Sequence, residues 1–212
     1  LTLLTGSGVP VPRPLALHGP NPTGGPWLVT EFVAGSTRVE SDGLRSALDQ
    51  MAQTLCAIHA VTLEGDVPGL ASIEDPRDHL SIEVVRRPNP PGLLHGDYWP
   101  GNLLFRDGRL VAVLDWEDAH RGDPLVDVAA ARVELACAYG DAAADEFTEY
   151  YLARSAVDVH DLALWELYVA TTALESMHRW GLPSDVEAAR RATTTRCRER
   201  AAAELFSRRG SG

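Results

Sequence analysis

Apolar residues recur at three- and four-residue steps through Leu44, Leu48, Met51, Leu55 and Ile58. That is the spacing of one helix face and predicts a helix over residues 41–61. After residue 120 the helical period returns repeatedly. Asp123-Pro124 supplies a cap and a first-turn proline, opening a helix to about residue 139. Gly140-Asp141 stops it and starts the next, which runs to about residue 154. Asp158 caps a third, largely apolar on successive turns at Leu162, Trp165, Leu167, Val169 and Leu174. Gly181-Leu182-Pro183 breaks it, and Ser184-x-x-Glu187 reads as the capping box of a last helix. Elsewhere the apolar runs are short. Leu103-Leu104-Phe105 and residues 110–114 flank Arg106-Asp107-Gly108 and read as a β-hairpin. Residues 14–18 and 26–33 read as short strands between proline and glycine turns. A further helix is expected over 78–87, ended by Pro88-Asn89-Pro90-Pro91. The pattern is α+β, with no internal repeat.

The hairpin carries the chemistry. It is preceded by His95-Gly96-Asp97, with Asn102 five residues after the Asp, and its second strand delivers Asp115 thirteen residues after the Asn. This order matches a kinase catalytic loop, H-x-D-x-x-x-x-N, followed by a magnesium-binding Asp. Phosphoryl transfer needs a carboxylate to orient the attacking hydroxyl and accept its proton, and Asp97 is the candidate. It needs hard oxygen ligands for Mg²⁺, which takes one or two carboxylates plus phosphate oxygens. Asn102 and Asp115 flank one hairpin and can converge on one ion. A lone H-x-D or a lone Asp-Gly turn would be structural; the full series in one order points to function.

Composition narrows the class. The 212 residues suit one substantial domain plus a smaller remnant, with 45% hydrophobic and 23% charged residues, as in ordinary globular proteins. No apolar run approaches the roughly 20 residues a membrane span needs. Cys56, Cys137 and Cys197 show neither metal-ligand nor disulfide spacing, so a cytoplasmic location is expected. The net charge of −11 argues against nucleic acid as a partner and is compatible with a cationic small molecule. The basic cluster Arg190, Arg191, Arg196, Arg198 and Arg200 reads as a solvated helix face.

On these motifs the chain resembles the aminoglycoside phosphotransferase family of kinase-like enzymes. The His-Gly-Asp form of the loop, Leu114-Asp115-Trp116-Glu117, Gly122-Asp123-Pro124 and Asp127-Val128-Ala129 carry the resemblance. It implies a protein-kinase-like fold: a remnant of the small β lobe with its hinge at residues 1–35, and a mostly α catalytic and acceptor-binding lobe at 36–212. By resemblance, Asp97 is the base, Asn102 and Asp115 hold Mg²⁺, His95 supports the loop and Asp127 braces it. Glu31 and Val33, in the hinge, are expected to contact the adenine or guanine of ATP or GTP. Tyr98 and Trp99 in the loop, with Glu166 and Glu175 on later helices, are the candidate contacts to a small-molecule hydroxyl acceptor; Glu134, Asp161 and Trp180 are further ones. Glu117 and Asp118 would support the metal. His59 reads as a C-terminal helix cap.

The nucleotide-gripping half of such an enzyme is not visible. Gly6-Ser7-Gly8-Val9-Pro10 lacks the third glycine of a phosphate loop, and the 19 basic residues counted as Lys or Arg are all Arg. Residues 1–4 would be the tail of the helix that carries the Lys-pairing Glu. The resemblance thus begins just after that Lys–Glu pair. The expectation is a fragment of a longer chain, favoured by the initial Leu1, or a truncated relative with altered nucleotide handling. The expected activity is transfer of the γ-phosphoryl of ATP or GTP to a small-molecule hydroxyl. The alternative is a catalytically impaired kinase-like binding or scaffold protein. An exposed edge of the remnant strands would also favour a homodimer.

Overall fold

Helix α1 (Leu44–His59) buries the face that its spacing marks, with Leu48, Met51, Leu55 and Ile58 out of solvent. The computed structural model describes residues 4, 6–19, 25–63, 65, 67 and 69–207. A short helix α2 (Pro76–Leu80) follows, capped by the Asp75 carboxylate on the Arg77 N–H. Then come α3 (Leu125–Tyr139), α4 (Asp141–Leu152), α5 (Leu162–Ser176) and the long α6 (Ser184–Ser207). α3 is the hub: it packs on α4, α5 and α6, while α1 closes against α4 and α5 against α6. α3 and α5 are apolar around most of their circumference because both are covered on several sides. Asp123 caps α3 through the Leu125 N–H, and Asp158 caps the turn leading into α5 through the His160 N–H.

The strands form small sheets. β1 (Pro14–His18) and β2 (Trp27–Thr30) make an antiparallel ribbon. β3 (Ala71–Ser72), β7 (His120–Gly122) and β4 (Gly92–Leu94) make a three-stranded sheet with β7 in the middle, parallel to β3 and antiparallel to β4. β5 (Leu103–Arg106) and β6 (Arg109–Val113) are the expected hairpin. Asp107 and Gly108 at its turn both have positive φ, 52° and 72°, the conformation of a two-residue turn whose twist matches the strands. The segment after β2 is clipped to β5, where Ser36 and Phe105 exchange backbone hydrogen bonds of 2.8 Å in both directions. Gly35 permits that approach, since a Cβ there would meet Leu104 Cβ at 3.0 Å.

Several expectations fail. No long helix spans 78–87: α2 ends at Ser81, which adopts φ 51°. The following chain is instead held irregular by Arg86, whose guanidinium reaches Asp75, Asp123 and Asp161 at 3.1–3.3 Å and lies over the Trp165 ring. Long-range ion pairs here outweigh a weak local helical preference. The basic cluster on α6 is not merely solvated either. Arg190 pairs with Glu134 of α3, and Arg200 pairs with Glu166 of α5 at 3.0 Å. Glu187 pairs with Arg191 rather than closing a capping box. The helix expected to end at residues 1–4 lies, for 1–3, outside the described residues. Among the described residues no helix is long and apolar enough to cross a membrane.

Candidate active site

The loop after β4 is built around a buried carboxylate. Asp127, in the first turn of α3, accepts the backbone N–H of His95 at 2.7 Å and of Gly96 at 2.9 Å. It also accepts from His59 Nε2 at 3.1 Å, and His59 Nδ1 lies 2.7 Å from the Tyr151 hydroxyl. Burial pushes the Asp127 carboxyl up, but the His59 hydrogen bond and charge and the His95 N–H together hold it below the usual range. His59 is therefore not a simple helix cap: it stands at the end of α1 and braces the loop through Asp127. Its position at the foot of a buried helix face was the available signal, and local pattern alone does not separate the two roles.

Gly96 has φ 86°, and a Cβ there would fall 1.8 Å from the Asp118 carbonyl oxygen. The middle position of His-Gly-Asp has no room for any side chain, and the backbone conformation disfavours one as well. His95 is fully buried, with Nε2 donating to the Leu114 carbonyl at 2.8 Å and Nδ1 accepting the Asp97 N–H at 3.2 Å. These two bonds assign the ring proton to Nε2. The Trp116 ring packs 4.6 Å from the His95 ring, so the Trp following Asp115 is part of the same support.

Asp97 and Asn102 meet directly. Asn102 Nδ2 donates to the Asp97 carboxylate at 2.8 Å and to the Asp97 carbonyl at 2.9 Å. With the amide nitrogen engaged, Oδ1 is the Asn102 atom suited to a cation. Burial raises the Asp97 carboxyl above its ordinary range; the Asn102 bond opposes this, and the charges of Asp118 and Asp115 add to it. Asp115 is exposed and sits at φ 58°, an uncommon conformation for a non-glycine residue. It is held there by its neighbours: the Leu114 N–H donates to the Asn102 carbonyl at 2.8 Å while the Leu114 carbonyl accepts from His95. The oxygens of Asn102 and Asp115 are hard donors of the kind Mg²⁺ takes. Among the described residues no group of three or more His, Cys, Asp or Glu side chains forms a metal cage.

A cleft of about 680 Å³ opens beside Asp97, a size usual for small-molecule sites. Glu134 and Trp180 line it, as do Asp118 and His120. Other expected contacts lie elsewhere. Tyr98 points into the core beneath the loop, fully buried, with its hydroxyl donating to the Met51 carbonyl at 2.9 Å. Half-buried Asp97 lines the cleft while its neighbour Tyr98 fills the core on the other side of the loop. Glu166 is buried against Arg132 and Arg200, and Asp161 is committed to Arg86. Glu175 is exposed beside His79, outside the cleft lining. Trp99 stands behind the cleft, with the Arg190 guanidinium 5.9 Å from its ring centre. Glu117 is exposed. In the expected hinge, Glu31 is half-buried and tied to Arg13 through its backbone N–H and its carboxylate; Val33 is half-buried in the stretch leading to Ser36. Arg190, absent from the sequence-based candidates, emerges as a neighbour of the cleft; nothing local in the sequence marks it.

A mostly α lobe carrying this loop and hairpin beside a β ribbon has the architecture of the kinase-like phosphotransferases. A model of the phosphotransferase enzyme family matches residues 1–81 and 72–165, and the chain belongs to that family. It is 36% identical over 59 residues to hygromycin-B 4-O-kinase of Escherichia coli, covering 28% of this chain. It is 27% identical to the Mus musculus acyl-CoA dehydrogenase family member 10 over 59% of this chain. The chain spans 17% and 15% of the length of these two curated relatives. Among solved structures, the GDP complex of aminoglycoside 2′-phosphotransferase-IIIa shares the fold at 18% identity and a TM-score of 0.65, covering 94% of this chain and 79% of that one.

Proposed function

We propose that this chain supplies the catalytic and acceptor-binding half of a phosphotransferase that moves the γ-phosphoryl group of ATP or GTP to a hydroxyl of a small molecule. The observation that carries the reading is the closed network in which Asn102 holds Asp97 while the strained Asp115 stands close enough to raise it. Asp97 orients the acceptor hydroxyl and takes its proton. Asn102 and Asp115 would hold Mg²⁺, which supplies charge neutralisation for the phosphates. Residues 36–212 form the catalytic lobe, and residues 1–35 contribute a β ribbon and a hinge whose Glu31 and Val33 face the nucleotide base. The family relatives include an enzyme named for a 4-O-kinase activity on hygromycin B. Free thiols at Cys56, Cys137 and Cys197 suit a reducing cytoplasm.

A second reading, a non-catalytic binding protein, is favoured by one fact: the chain has no lysine to hold nucleotide phosphates. Thermal unfolding with Mg·ATP and Mg·GTP separates the two. At a hundredfold excess over Kd, binding stabilises by about 2.7 kcal/mol, a rise in Tm of about 5–10 °C for a chain of this size. The enzyme reading requires that rise, its loss with EDTA, and label transfer from the γ-phosphate. A flat response to both nucleotides favours the binding protein.

The ribbon is the proposed oligomerisation surface. Leu17 is 77% exposed and Phe32 91% exposed, with Leu15, Trp27, Leu28 and Val29 also open. Apolar strands with free edges pair readily. Size-exclusion chromatography is expected to show self-association that Leu17→Lys and Phe32→Lys reverse; a concentration-independent monomer would rule it out.

A further inference from the structure

The cleft beside Asp97 contains a carboxylate that is already neutralised. Glu134 projects from α3 into the cleft lining, mostly buried. Arg190 of α6 donates to it from behind. The same guanidinium lies 5.9 Å from the ring centre of Trp99 and 5.7 Å from that of Trp180, within cation–π reach of both rings. Arg190 Nε is buried with no hydrogen-bond partner. Its charge is thus compensated by one carboxylate and two ring faces, and removing the carboxylate would strand a desolvated cation.

The rest of the cleft follows suit. Val126, Val133 and Val169 with the rings of Tyr168 and Trp180 give it an apolar face; the hydroxyls of Thr172 and Ser176 beside them are turned onto the carbonyls of Val169 and Thr172 in their own helix. The remaining acidic groups are Asp118, near enough to Asp97 to raise its carboxyl, and Glu74; both are exposed, where solvent weakens an ion pair.

We infer that the Arg190–Glu134 pair sets acceptor specificity: the cleft takes a hydroxyl-bearing acceptor with an apolar face and at most one cationic group, and rejects polycations. A polycation would have to win Glu134 away from Arg190 and would gain little elsewhere. An apolar ring or chain instead lies against the valines and Trp180 with its hydroxyl toward Asp97. Arg190 acts through Glu134 and is a positioning residue. The inference rests on the phosphotransferase reading for the role of Asp97, but not for the character of the cleft.

Isothermal titration of the full chain with two probes of similar size tests it. Lincomycin carries hydroxyls, an alkyl chain and one basic nitrogen; kanamycin is a polyamine sugar. The wild type is expected to bind lincomycin at least about tenfold more tightly, a difference of about 1.4 kcal/mol. Arg190→Gln frees Glu134 and is expected to narrow that ratio by about tenfold through tighter kanamycin binding, while Arg190→Lys keeps the wild-type order. A wild type that binds lincomycin no better than kanamycin overturns the inference, as does an unchanged ratio in Arg190→Gln. If the preference holds but no Mg·nucleotide binds and no phosphoryl transfer occurs, the phosphotransferase reading fails and the cleft assignment stands.

Discussion

Asp97→Asn is expected to lower phosphoryl transfer by about 10²–10⁴-fold, the usual contribution of a positioned general base, while the unfolding midpoint in urea stays near wild type. The asparagine is nearly isosteric. It can still present an oxygen to Asn102 Nδ2, so the 2.8 Å bond that ties the loop together survives. What it loses is the capacity to accept the acceptor's proton. The fully buried His95 cannot substitute, since both of its ring nitrogens are engaged. The measurement is transfer of labelled phosphate from Mg·ATP or Mg·GTP to an acceptor that the wild type turns over. Undiminished transfer would remove Asp97 from the role.

Asp127→Ala is the largest expected stability effect. The side chain is 1% exposed and accepts from two backbone N–H groups and one imidazole. Leaving the buried His95 N–H without a partner costs about 1–3 kcal/mol, and losing the bond from the more exposed Gly96 about 0.5–1.5 kcal/mol, together about 1.5–4.5 kcal/mol. That is a large share of the roughly 5–15 kcal/mol that holds a typical domain. Urea unfolding at neutral pH is the check; a loss under about 1 kcal/mol would show that the loop does not depend on this carboxylate. The same group implies a pH dependence. Its carboxyl is lowered in the folded protein, so the stability it contributes is fully present above the unfolded Asp value of about 3.9. That contribution is lost as pH falls through the lower native value. Acid destabilisation below about pH 4 should therefore shrink in Asp127→Asn.

The same loop shows why His-Gly-Asp is a structural as well as a chemical motif. The glycine makes room for the Asp118 carbonyl, and its positive φ lets both the His95 and Gly96 N–H groups turn onto Asp127. The motif's spacing is thus tied to a residue 31 and 32 positions away from the two donors and on another element.

Local spacing made much of this protein legible. The helical period announced α1 and the helices after Asp123, because a buried face repeats every three or four residues whatever it packs against. The Asp107-Gly108 turn announced the hairpin, because positive φ at both turn positions is a requirement of the backbone itself. Strands of two or three residues, such as β3 and β7, show no period and were not readable. The expected helix over 78–87 gave way because Arg86 found its carboxylates just before α2, α3 and α5.

The amino-acid sequence by itself determined the order of the reactive groups and the hairpin that brings Asn102 and Asp115 to one end. Those are short-range matters of spacing, turn chemistry and alternation. Tertiary structure alone decided which acidic side chains face the cleft beside Asp97. Glu134 and Glu166 look alike on their helices. One lines a cleft while the other is consumed in the core, because Arg190, Arg132 and Arg200 reach them from elements distant in the chain. A carboxylate's availability depends on the cation that arrives beside it, and that arrival is set by packing.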